Sequence, residues 1–155
     1  MNYVITLLAI VIATVNLSAC DKAPENRVST APQPAITELI IRDTLVGTGA
    51  TADKNKQLTV HYTGWLFDAG ADQSRGKQFD SSRGDDNNKP HPFSFYLGAG
   101  QVIPGWDQGL VGMHVGGRRT LIVPSELAYG KRGAGRGLIP GDATLVFDIE
   151  LLNVQ

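Results

Sequence analysis

The sequence predicts an α+β domain, a curved antiparallel β-sheet of about five strands packed round one short α-helix. Three observations lead there. Two segments, "LTVHYTGWLF" (58–67) and "ATLVFDIELLNV" (143–154), alternate with the two-residue period of a half-buried strand. The 18 glycines and 8 prolines are scattered without a period, which is turn chemistry in a β-rich chain and not a collagen or low-complexity pattern. A single segment, around Trp106, offers a helix, and it is too short and glycine-rich to be stable alone. An antiparallel sheet with one apolar face needs a second layer, so that helix is expected to cover it.

In chain order, residues 3–17 form an apolar run of signal-peptide length, short for a transmembrane span. The run leads into "LSAC", which resembles the lipobox of bacterial lipoproteins. That resemblance implies cleavage before Cys20, acylation of its thiol and a lipid anchor, with residues 1–19 as the signal peptide. A plain cleaved signal and an uncleaved anchor are the other readings. Cys20 is the one cysteine of the chain, so it forms no internal disulfide. Residues 20–35 continue as a polar, proline-bearing tether, expected to be disordered. The folded domain is placed at 36–155.

Its first strand is read within 36–49 and its second at 58–67. Residues 68–92, rich in Gly, Asp, Asn and Ser, read as a long irregular connection around "KQFDSS". Short strands follow at 93–97 and 118–124, with the helix at about 104–112 between them. The last strand, 143–154, is expected to turn Leu145, Phe147, Ile149 and Leu151 inward and Val146, Asp148 and Glu150 outward. A short helix leaves part of the concave face uncovered. The gap is a pocket, with Trp106 as its floor.

The composition and motifs exclude several chemistries. A net charge of −1 gives no basic excess for nucleic acid. His61, His91 and His114 show no spacing to a nucleophile or to metal ligands, and structural roles are expected for them. "GKRGAGRG" (130–137) lacks the Gly-Lys-Ser/Thr ending of a phosphate loop and reads as a basic surface loop. What remains is aromatic. Tyr62, Phe79, Phe93, Phe95, Trp106, Tyr129 and Phe147 come from separate segments, and Phe95 reads as core alone. A buried phenol needs a partner for its hydroxyl, so Tyr62 and Tyr129 suit the polar rim of an apolar pocket.

The stretches "VHYTGWL", "KQFDSSR", "FSFYLGAGQVIPGWDQGLVGM", "VGGRRTLIVPSELAYG" and "LIPGDATLVFDIELL", in that order, resemble the signatures of FKBP-type peptidyl-prolyl cis-trans isomerases. The resemblance covers about residues 36–154. It implies a half-barrel sheet wrapped round one helix, and isomerisation of X–Pro bonds in exported proteins without cofactor or metal. The residues it implies for catalysis are Tyr62, Phe79, Asp80, Trp106, Tyr129 and Phe147, and for substrate binding Phe93, Val102, Ile103, Leu138 and Ile139. The Ile103 N–H and the Tyr129 hydroxyl would hold substrate carbonyls, with Asp80 adding polarity at the rim. Gln101 stands where some relatives carry an acid, and little effect is expected from it.

Proline-containing polypeptides and macrolide FKBP ligands are the expected partners, with the domain monomeric and anchored by lipid in a bacterial envelope, at the periplasmic face. A binding module or chaperone for proline motifs, with little turnover, is the alternative. Changing Cys20→Ser is expected to abolish fatty-acid labelling and signal removal while leaving the domain folded. A serine variant that still carries labelled fatty acid and stays on membranes after alkaline washing would overturn the lipoprotein reading.

Overall fold

The computed structural model describes residues 36–84 and 89–155. The expected signal peptide, Cys20 and the tether lie outside them. Six strands and one helix are present among the described residues: β1 (Ile40–Leu45), β2 (Gln57–Phe67), β3 (Arg75–Ser81), β4 (Phe93–Tyr96), α1 (Pro104–Gly109), β5 (Arg118–Val123) and β6 (Leu145–Val154). The strands form one antiparallel sheet in the order β1-β5-β6-β2-β3, with β4 also paired to β2. "KQFDSS", expected as a short segment within an irregular connection, lies in strand β3 as far as Ser81. Its flanks of glycine and polar residues hide it, because its partners are supplied by β2.

Strand β2 organises the sheet. Its 11 residues pair with β6 along one edge, while β4 and β3 take successive halves of the other. Register shifts at Thr59/Val60, Gly64/Trp65 and Trp65/Phe67 interrupt these ladders. Such bulges bend a strand and raise its twist, which curves the sheet without closing it.

The concave face holds the core, including Leu58, Val60, Leu121, Leu145, Phe147 and Ile149, all nearly or fully buried. The inward set expected for β6 is found there. Val146, expected outward, is on the convex side and yet fully buried. It lies between Trp65 of β2 and Ile122 of β5 in the cross-strand register, and those larger neighbours cover it.

Helix α1 is shorter than the expected 104–112, ending at Gly109. Pro104 supplies a favourable first position, and a left-handed Gly112 follows the end. Its packing explains its composition. A Cβ on Gly105 would sit 2.4 Å from Val123 Cγ1, and one on Gly109 would sit 2.8 Å from Leu121 Cδ1. Residues four apart share a helix face, so these two glycines let the helix backbone settle directly on β5.

Arg119 locks the far end of this contact. Its Nη1 donates to the carbonyls of Gly109 (2.8 Å) and Val111 (3.2 Å), and its Nε and Nη2 donate to Asp43 on β1 at 2.7 and 3.1 Å. A cation at the helix C-terminus satisfies carbonyls left open there. Hydrogen bonding from Arg119 holds the Asp43 carboxyl below the usual range. The stability from this pair is therefore present above the unfolded carboxyl pKa and lost as pH falls through the lower folded value.

Replacing Gly105 by Ala tests the close approach. Helix propensity alone favours Ala by about 1 kcal/mol. Overpacking against the stiff, β-branched Val123 opposes it by about 1–3 kcal/mol. Net destabilisation in urea unfolding is the expected outcome, and a stabilised variant would show that the helix does not rest on β5 at glycine distance.

Candidate active site

Trp106 is 4% exposed and forms the floor of a hollow of about 380 Å³ on the concave face. Tyr62 and Phe147 stand edge-to-face on its ring, with centroids at 5.2 and 5.3 Å. Phe95 packs against it at 5.8 Å from the core side and is itself 2% exposed, as expected for a core residue. The Trp106 Nε1–H is buried and has no acceptor among the described residues. The indole is thus held by ring contacts and not by a hydrogen bond.

Gly64 makes room for the next wall. It pairs across the sheet with Phe147, and a Cβ there would lie 2.7 Å from the Phe79 ring and 2.9 Å from that of Phe147. With no side chain at 64, Phe79 and Phe147 meet edge-to-face at 5.7 Å over the bare backbone. Phe93, at the start of β4, closes the opposite side against Tyr62 at 6.2 Å. Val102 and Ile103, in the turn leading into α1, complete the apolar lining.

That turn is pinned by Asp107 of the helix, whose carboxylate accepts from the N–H groups of Gly98 (2.8 Å) and Gly100 (3.0 Å). The Ile103 carbonyl accepts from Trp106 and Asp107, while its N–H has no acceptor among the described residues. A free N–H beside an apolar hollow can donate to a bound carbonyl.

The polar rim is made by Tyr62, Asp80 and Tyr129. The Tyr62 hydroxyl donates to Asp80 Oδ2 at 2.6 Å, the length of a charge-assisted bond. Burial pushes the Tyr62 phenol well above the ordinary tyrosine range, and the bond to Asp80 and its charge push it further. Tyr129 is raised as well, by burial first and by the Asp80 charge second. Both hydroxyls keep their protons at neutral pH. The Tyr129 hydroxyl has no partner among the described residues, so it too is available as a donor.

Residues 49–152 match the family described as FKBP-type peptidyl-prolyl cis-trans isomerase. The chain belongs to this family. It is 51% identical over 116 residues to an FK506-binding protein of Neisseria meningitidis serogroup A, a match covering 75% of this chain and 95% of the relative. It is 52% identical over 102 residues to the mouse protein named peptidyl-prolyl cis-trans isomerase FKBP2, covering 66% of this chain and 64% of that one. Among solved structures it is similar to AtFKBP13, with a TM-score of 0.61 and 40% identity over 76% of this chain and 93% of that one.

In this FKBP-type isomerase the sequence-predicted residues Tyr62, Phe79, Asp80, Phe93, Val102, Ile103, Trp106, Tyr129 and Phe147 all line the one hollow. Leu138 and Ile139 do not. Ala134 and Ile139 exchange both backbone hydrogen bonds, which folds the 130–139 loop back on itself. Ile139 thereby enters the core at 6% exposure, and Leu138 is left 50% exposed. His61 lies on the convex side, where its Nδ1 is 2.9 Å from Ser82 Oγ.

Three further residues line the hollow. Pro104 and Ala128 only flank recognisable neighbours. Gln101 borders the hollow while its side-chain oxygen accepts from the Tyr96 N–H at 2.9 Å. The role of Asp107 was equally hidden, since it acts on glycines seven and nine residues away in the chain.

The rim electrostatics can be read directly. Changing Asp80→Asn is expected to bring the Tyr62 ionisation part of the way down, because a neutral amide no longer opposes the phenolate charge while burial still does. A pH titration of the Tyr62 ring signals checks it. An unmoved midpoint would leave burial as the sole cause.

Proposed function

We propose that this isomerase seats the prolyl ring of an X–Pro segment over Trp106 and catalyses rotation about the preceding amide by removing water from it. The observation that supports this most is the hollow itself. It is walled by aromatic rings and rimmed by two neutral phenols and one unpaired N–H. Rotation about the amide faces a barrier of about 18–20 kcal/mol because resonance must be broken. The planar amide is the more charge-separated form and gains most from water. An apolar site withdraws that solvation and favours the twisted form. Lowering the barrier by ~8 kcal/mol gives roughly a millionfold acceleration.

In this reading the Ile103 N–H and the Tyr129 hydroxyl hold carbonyls on either side of the proline. Asp80 orients Tyr62 through their 2.6 Å bond and supplies the only charge among the described residues of the rim. No nucleophile or proton transfer is needed. Macrolides that bind FKBP-type domains would occupy the same hollow. The substrates we infer are exported proteins at the envelope, met by a monomeric domain on a lipid anchor at Cys20. The "LSAC" sequence after an apolar run supports that setting.

Activity on a prolyl tetrapeptide tests the mechanism. Tyr129→Phe keeps the ring and deletes one hydroxyl. Losing one hydrogen bond of about 0.5–1.5 kcal/mol predicts a several-fold fall in kcat/KM. Asp80→Leu is expected to fall by at least as much, and His61→Gln to stay near wild type, since its ring faces the other side of the sheet. If His61→Gln lost turnover in a folded protein while the two rim variants kept it, acid–base chemistry would replace the desolvated pocket. A wild type that binds the peptide and does not turn it over would make the domain a proline-motif binder.

A further inference from the structure

The convex face carries a second hollow, of about 270 Å³, on the opposite side of the sheet from Trp106. Its walls are built by alternation. Asp148 and Glu150 are two residues apart on β6 and both point outward, about 7 Å apart along the strand. Three guanidinium groups converge on these two carboxylates. Arg75 Nη2 is 2.7 Å from Asp148 Oδ2, and Arg118 Nη2 is 3.4 Å from Glu150 Oε1. Arg83 binds the other oxygen of Glu150. Arg119 also borders the hollow, but Asp43 neutralises it.

The arrangement is unbalanced in charge and in donors. Three cations face two anions, a surplus of one positive charge. Each guanidinium has five N–H groups, and these contacts engage one nitrogen of each. Arg75 Nε–H is buried without an acceptor among the described residues. Its guanidinium lies 5.3 Å from the Trp65 ring centroid, which fixes its plane. The Arg118 side chain is 58% exposed and only loosely held at 3.4 Å, so it can turn toward a ligand. At the edge, Gln73 and Ser74 both take left-handed backbone (φ 51° and 60°), a costly bend, and Gln73 borders the hollow with its Nε2 donating to Asp72 Oδ2 at 3.4 Å. Exposed ion pairs add little stability, and two arginines would already balance the face.

We propose that this hollow binds an oxyanion of the phosphate class, held by Arg75, Arg83 and Arg118 with Gln73 at its edge. Arginine forks match the geometry of phosphate oxygens, and a singly charged phosphate would meet the one positive charge that the carboxylates leave unbalanced. The phosphate could be a free anion or a lipid headgroup, and the chemistry at the three arginines is the same.

The test uses the full chain with inorganic phosphate as probe, against chloride at matched ionic strength. Saturable shifts of the arginine Nε–Hε signals and of the Gln73 side-chain amide are expected with phosphate only. The double variant Arg83→Gln/Arg118→Gln should weaken the response about tenfold or more, as expected on losing charge-assisted hydrogen bonds. Its amide spectrum elsewhere and its prolyl isomerase activity should be unchanged, since neither residue lines the Trp106 hollow. Partition onto phosphatidic acid and phosphatidylcholine vesicles separates the sources. A loss by the double variant on phosphatidic acid alone identifies a headgroup, and equal partition with phosphate saturation identifies a soluble anion. Shifts that chloride reproduces, or that persist in the double variant, overturn the proposal. So does a protein that shows neither phosphate saturation nor a vesicle difference.

Discussion

The close seating of α1 on β5 is the constraint on which the site depends. Gly105 and Gly109 bring the helix backbone within van der Waals reach of Val123 and Leu121. Any side chain there would lift the helix and carry Trp106 with it. The cost is a helix of poor propensity and only six residues, which tertiary contacts must hold in place. Arg119 ties its end to β1 and β5, and Asp107 ties its start to the preceding turn. The two side chains that tie the helix in place are thus absent from the lining of the pocket.

A second close approach finishes the pocket. Glycine at 64 leaves the sheet bare at the point where Phe79 and Phe147 meet. The rings then make the walls, and the backbone supplies the space between them. This is why the hollow can be both deep and aromatic in a domain with few aromatic residues. Polarity is confined to the rim, where Asp80 keeps Tyr62 oriented, and burial first and Asp80 second keep both phenols protonated. The floor is apolar, and directional donors are kept at the edge. Those are the two properties that the proposed amide desolvation requires.

The two faces of the sheet solve different problems with the same strands. Toward the helix, β5 and β6 present aliphatic and aromatic groups together with one satisfied cation, Arg119. Away from it they present Thr120, Asp148, Glu150 and Arg118 in register, joined by Arg75 and Arg83 from the β3 side. Between these zones Ile122 and Val146 are buried on the convex side as well, so the centre of the sheet is apolar on both faces.

The sequence alone determined five of the six described strands, because a two-residue hydrophobic period and glycine or proline at the turns are local properties. It determined the aromatic walls as well, since long ordered stretches such as "FSFYLGAGQVIPGWDQGLVGM" fix both chemistry and spacing. Contacts between distant segments were decided only in the tertiary structure. Strand β3 forms because β2 offers it an edge. Leu138 and Ile139 leave the pocket because a bridge at Ala134 folds their loop away. Val146 is buried by neighbours on two other strands. Arg75, Arg83 and Arg118 gather on two carboxylates although up to 73 residues separate them from those partners in the chain. Periodicity tells a residue which face it takes. Only the sheet's register and curvature tell it what waits on that face.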